Sequence, residues 1–180
     1  MRIPNYEPKI KDTDFQQLYP YMPTNTFRML LCGPSGCGKT NTLMHMIYKL
    51  LIFDKIYLYS KNIEQPKYQQ LIEDIEPISE ECGYDVIVSS GEEIEPLEEL
   101  NDESQKIVVF DDYLCHKNQK PLIEYFIGGR HKKCSCIYLS QSYYSTPKDI
   151  RNNCSHYCIF DSPSLAETNR MCRELNLNKK

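Results

Sequence analysis

Gly33-Pro34-Ser35-Gly36-Cys37-Gly38-Lys39-Thr40 follows the pattern G-x-x-x-x-G-K-T, a phosphate-binding loop. Its glycines permit positive φ, so successive backbone N–H groups can turn inward as an anion nest. A helix starting at Lys39 would aim its positive dipole end at the same point. In such a loop, which takes in Pro34, Ser35 and Cys37, the lysine reaches the β- and γ-phosphates and the Thr40 hydroxyl binds Mg²⁺. The flanks agree with this reading. Phe27-Arg28-Met29-Leu30-Leu31-Cys32 is a short apolar run suited to a buried strand, and Thr42 to Leu51 has a helical pattern. A chance glycine loop would not come with Lys-Thr, a strand before it and a helix after it. The expected ligand is a nucleoside triphosphate.

Outward from the loop, strand and helix patterns alternate. Ile56 to Ser60 reads as a strand. Pro66 opens a short helix through Ile75, with Pro77 ending it. Tyr84 to Val88 is a third strand, and Gly91 to Ser104 an acidic loop with a short helix. Ile107 to Phe110 is apolar throughout, as in a strand buried on both faces. Gln119 to Ile127 is helical and stops at Gly128-Gly129. Cys134 to Leu139 is another buried strand, Pro147 to Asn152 a helical turn, and Tyr157 to Phe160 a last strand. Ser164 caps a final helix to about Leu175. This alternation predicts a three-layer α/β fold with a mainly parallel sheet. Residues 1–25 hold Pro4, Pro8, Pro20 and Pro23 among tyrosines, which reads as an extended arm before an ATPase domain at 26–180.

The 180 residues suit one domain with one core. A net charge of −4 gives no bulk electrostatic support for nucleic-acid binding, but the charge is uneven. Asn62 to Asp112 holds sixteen acidic and two basic residues, most simply a solvated acidic face. Tyr113 to Arg151 holds seven basic and two acidic. The nine cysteines, an odd number with no apolar N-terminal segment, point to free thiols in a reducing compartment. Cys134, Cys136, Cys154 and Cys158 lack finger-like spacing for zinc. No apolar run approaches the ~18 residues of a membrane span.

A second motif ends the apolar strand: Asp111-Asp112. A buried strand of a parallel sheet delivers both carboxylates to the ligand crevice. Asp111 is expected to hold Mg²⁺ and Asp112 to orient or deprotonate the attacking water. A third lies at Ser140-Gln141-Ser142, where Gln141 at a strand end can reach a γ-phosphate or its water. Arg130, in Gly128-Gly129-Arg130-His131-Lys132-Lys133, is a candidate for stabilising transition-state charge across a subunit boundary. Lys132, Lys133, Lys148 and Arg151 are candidate DNA phosphate contacts.

With these elements together, the chain resembles the FtsK–HerA superfamily of translocating ATPases. Within it, the chain looks like the genome-packaging ATPases of poxviruses, giant viruses, virophages and Polinton-like elements. The likeness rests on Gly129 to Lys133, then Ile137 to Tyr143, then Pro147 to Asn152, and covers roughly Phe27 to Phe160. It implies ATP with Mg²⁺ and an ATP-driven motor on double-stranded DNA. It implies a homo-oligomeric ring of five or six subunits, which could dock on capsid vertex proteins. The setting would be an infected cell or a virion. It also implies that Asp112 replaces a catalytic glutamate, Gln141 senses the γ-phosphate and Arg130 is a finger offered to a neighbour. Two other functions compete: a nucleoside or nucleotide kinase, which needs a second pocket and an arginine-rich lid, and an ATP-switched DNA-binding or recombination protein. Transporter ATPases are disfavoured, because Leu139-Ser140-Gln141 only echoes their Leu-Ser-Gly-Gly-Gln signature.

Overall fold

The computed structural model describes Pro23 and residues 26–82, 85–89, 94–113, 118–160 and 164–177, with backbone alone at 76–82 and 85–89. Most of the proline-rich arm therefore lies outside the described residues.

Six strands form one sheet: β1 (Arg28–Cys32), β2 (Lys55–Ser60), β3 (Asp85–Ser89), β4 (Lys106–Asp111), β5 (Cys134–Ser140) and β6 (His156–Ile159). Their order is β3-β2-β4-β5-β1-β6, and every pairing is parallel. Helices α1 (Lys39–Lys49), α2 (Pro66–Cys82), α3 (Lys120–Gly128), α4 (Lys148–Asn153) and α5 (Leu165–Glu174) connect or follow the strands.

Alternation along the strands builds two cores. Met29, Leu31, Leu58, Val109, Ile137 and Leu139 face α1 and α2, where Leu43, Met46, Ile47, Tyr68 and Leu71 meet them. Leu30, Cys32, Tyr59, Phe110, Cys136 and Tyr138 face the other way, toward Tyr125 and Phe126 of α3, Ile150 of α4 and Met171 of α5. The second core is aromatic: Tyr59 stacks on Phe110 at 5.3 Å, and Tyr125 meets Phe110 edge-on at 5.5 Å. A sheet buried on both faces needs apolar runs rather than alternating ones, as β4 and β5 have.

Two boundaries differ from the sequence expectation. Helix α2 runs through Pro77 to Cys82 instead of stopping at Ile75. A proline inside a helix removes one amide hydrogen bond, yet its fixed φ is itself helical. Eleven residues of helix upstream carry the pattern across. After α3 the chain does not open into a glycine loop. Gly129–Lys132 continues as a tight 3₁₀ turn straight into β5. The cap on α5 is as expected: the Glu167 amide donates to Ser164 Oγ at 3.2 Å.

The strand order positions the site. The connections from β1 to β2 and from β4 to β5 travel in opposite directions along the sheet, with α1 and α3 on opposite faces. The crevice opens where such connections part, at the carboxyl ends of β1, β5 and β4.

Candidate nucleotide site

The loop between β1 and α1 is bound to the sheet from its first residue: the Gly33 amide donates to Ser140 O at 3.1 Å. Gly36 (φ 78°) and Gly38 (φ 104°) adopt the positive φ that the anion nest requires. Gly33 is constrained differently. A Cβ there would sit 2.5 Å from Phe160 Cβ and 2.8 Å from Cys37 Sγ, distances no packed side chain tolerates. Gly33→Ala is therefore expected to cost about 1–3 kcal/mol through overpacking, read as a lower midpoint in urea unfolding. An unchanged midpoint would show that Phe160 moves aside freely.

Lys39 lies within the loop. Its ammonium donates to the carbonyls of Gly33 at 2.7 Å and Pro34 at 2.9 Å. It also lies 3.9 Å from Cys37 Sγ. None of these partners is a carboxylate, so the charge is held in the nest without being neutralised.

Register then aligns the other candidates. Cys32 pairs with Ser140, and Leu139 with Asp111, so the loop, Gln141 and the two acids share one end of the sheet. Strand β5 lies between β1 and β4, which places Gln141 between the phosphate loop and the carboxylates. Ser35, Gly36, Gly38, Lys39, Thr40, Asp111, Asp112 and Gln141 all line one cleft of about 300 Å³. Asp112 has φ 55°, a left-handed conformation that Asp and Asn tolerate best among side-chain-bearing residues. This turn stops β4 and sets the second acid into the cleft beside the first.

Burial pushes the Asp111 carboxyl up from its ordinary value, and the charge of Asp112 adds to this; hydrogen bonds from Tyr68 and Gln65 and the Lys39 charge oppose it. The Tyr68 hydroxyl donates to Asp111 Oδ2 at 2.7 Å. Thr40 and Asp111 are hard oxygen donors beside the phosphate loop, a set that fits Mg²⁺ completed by nucleotide phosphates and water. Bound there, Mg²⁺ would offset the charge on the β- and γ-phosphates.

Sequence reasoning missed Asn62, Gln65 and Lys67, which come from the β2–α2 corner and line the same cleft. It also missed Tyr68, fully buried behind them. In the sequence Tyr68, Leu71 and Ile75 read as one apolar helical stripe. Only the pairing of β2 with β4 brings that helix start to the acids.

Arg130 is not in this chain's cleft. It is exposed on the 3₁₀ turn at the amino end of β5, roughly 20 Å along the strand from Gln141. Lys132 and Lys133 share that end. Lys132 Nζ donates to Asn101 Oδ1 at 2.5 Å, and Lys133 pairs with Glu103 at 2.7 Å. Lys148 is exposed at the start of α4. Arg151 does not fit a DNA contact: only 9 % exposed, it pairs with Glu174 at 2.7 Å and lies over the Tyr143 ring at 4.8 Å. A guanidinium stacked on an aromatic and paired with a carboxylate is committed to packing.

The cysteines behave as apolar fillers. Burial pushes the Cys134 and Cys154 thiols up to about 12, and Cys32 to about 11.

A family model described as Poxvirus A32 protein matches residues 15–180. The chain belongs to the poxvirus A32 family. That agrees with the poxvirus-type likeness in its motifs. As an A32-family member it is 31 % identical over 165 residues to the DNA packaging protein OPG160 of Variola virus, covering 86 % of this chain and 60 % of the relative. The Monkeypox virus OPG160 is 29 % identical over 164 residues, 54 % of its own length. The chain thus spans somewhat over half the length of these relatives. Among solved structures, the genome packaging NTPase B204 of Sulfolobus turreted icosahedral virus 2, in complex with ATP-gammaS, aligns with TM-score 0.55 at 15 % identity. That alignment covers 83 % of this chain and 82 % of the other. The cytoplasmic domain of EssC aligns with TM-score 0.58 at 12 % identity, covering 86 % and 37 %. At such identities the likeness is one of fold, and it establishes the P-loop NTPase architecture for the A32-family chain.

Proposed function

We propose that this chain is an ATP-hydrolysing motor that moves double-stranded DNA, packaging a viral genome into its capsid. The observation that carries the reading is the convergence of Lys39, Thr40, Asp111, Asp112 and Gln141 on one cleft in an A32-family chain. The packaging role named for its poxvirus relatives supports the substrate.

In this reading the loop amides and Lys39 hold the β- and γ-phosphates, while Thr40 and Asp111 hold Mg²⁺. Asp112 positions the attacking water and accepts its proton, and Gln141 contacts the γ-phosphate from between the two. Arg130 completes the site of a neighbouring subunit in a homo-oligomeric ring; its place at the far end of the sheet supports a role in trans. Lys132, Lys133 and Lys148 remain the surface candidates for DNA phosphates. Docking on capsid vertex proteins, within an infected cell or virion, belongs to the same reading.

The carboxylates offer a direct test. Asn shares Asp's tolerance of left-handed φ, so Asp112→Asn changes charge without straining the turn. It is expected to bind Mg·ATP normally and hydrolyse it ~10²–10⁴-fold more slowly. Asp111→Asn is expected to lose Mg²⁺-dependent binding itself. Calorimetric titration with a slowly hydrolysed ATP analogue, beside phosphate release, separates the two. The reverse pattern would exchange the roles of the acids.

A further inference from the structure

Tyr68 is a fully buried side chain that touches Asp111, one of the two groups assigned to the metal. It is 0 % exposed, enters from the first turn of α2, and is not part of any phosphate-loop or acid motif. Its hydroxyl donates to Asp111 Oδ2 at 2.7 Å.

We propose that Tyr68 is a positioning residue for the metal, fixing the Asp111 carboxylate in one orientation from behind. The chemistry follows from the direction of that bond. The phenol proton occupies Asp111 Oδ2, which leaves Oδ1 for the metal's water shell. Partners behind a ligand that fix its orientation typically contribute 10- to 100-fold in metal affinity. A tyrosine serves better here than a surface amide, because its position is set by the core: Leu71 and Ile75 extend the same buried stripe. The same bond ties the start of α2 to the end of β4, so the β2–α2 corner that carries Asn62 and Gln65 is held against the cleft.

This inference rests on the ATPase reading, and the test distinguishes their failures. A methylanthraniloyl-labelled ATP is titrated at fixed concentration with Mg²⁺, and again in EDTA. The proteins are the wild type, Tyr68→Phe, Asp111→Asn and the double variant. Tyr68→Phe keeps the ring and its packing. Its Mg²⁺ midpoint is expected to rise about 10-fold or more while binding in EDTA stays at the wild-type level. Asp111→Asn is expected to lose the Mg²⁺ dependence, and adding Tyr68→Phe to it is expected to leave the remaining Mg²⁺-independent binding unchanged. A wild-type midpoint in Tyr68→Phe overturns the inference. So does an equal loss of binding with and without Mg²⁺, which would make Tyr68 a prop for the loop alone, and so does a further loss of binding in the double variant relative to Asp111→Asn. Absence of nucleotide binding by the wild type contradicts the ATPase reading itself.

Discussion

Lys39→Ala is expected to reduce ATP turnover by at least ~10²–10³-fold, the scale set by removing one preorganised charge partner from a reacting group. The lysine is already inside the loop, held by two carbonyls. Those contacts orient the ammonium but leave its charge uncompensated, so it can serve a phosphate with little rearrangement. Removing it should weaken nucleotide binding and slow hydrolysis together, because the charge acts on both ground state and transition state. The core should survive: α1 is buried through Leu43, Met46 and Ile47, and Lys39 is not among its buried residues. Unfolding midpoint and phosphate release measured on the same sample check both halves. Full turnover in a folded Lys39→Ala protein would remove the nucleotide site from the account.

Arg130→Ala is expected to bind ATP normally and to lose turnover by on the order of 10³–10⁵-fold, the range of arginine fingers. Since Arg130 lies at the opposite end of the sheet from its own cleft, no motion of one side chain brings it there. Its effect must come through a neighbour, which makes mixing the informative experiment. Arg130→Ala subunits keep an intact loop, and Lys39→Ala subunits keep an intact arginine. In mixed rings some interfaces pair the two, and part of the activity should return. If Arg130 is instead a surface charge or a DNA contact, Arg130→Ala keeps its DNA-free turnover and mixing restores nothing further. Lys132 and Lys133 are the control at the same end of the fold. Neutralising them should flatten the salt dependence of DNA stimulation and spare DNA-free turnover.

Much of this was legible in the residues. The loop declares itself because its chemistry demands fixed spacing, and the flanking apolar runs place it between strand and helix. Asp111-Asp112 and Gln141 were findable for a related reason: in a parallel sheet the end of each buried strand faces the same crevice. What was not legible depends on order in space. Nothing local says that β2 lies beside β4, so the β2–α2 corner and Tyr68 stayed hidden as loop and core. Arg151 looked like one cation in a basic run. Its burial follows from Tyr143, Tyr144 and Glu174, one of them on a helix twenty-three residues away in the chain. Pro77 misled through a rule about helix ends that helix context overrides. Arg130's distance from its own cleft was equally invisible, since the length and direction of β5 decide it.

The central claim is a DNA-coupled ATPase, and the most direct measurement is phosphate release by the whole chain with and without long double-stranded DNA, with a panel of nucleosides in parallel. The expected result is Mg²⁺-dependent turnover that long DNA strongly stimulates, that nucleosides leave unchanged, and that Lys39→Ala abolishes. Turnover indifferent to DNA but raised by a nucleoside, with phosphate transferred to it, would contradict the motor and make the cleft that of a kinase.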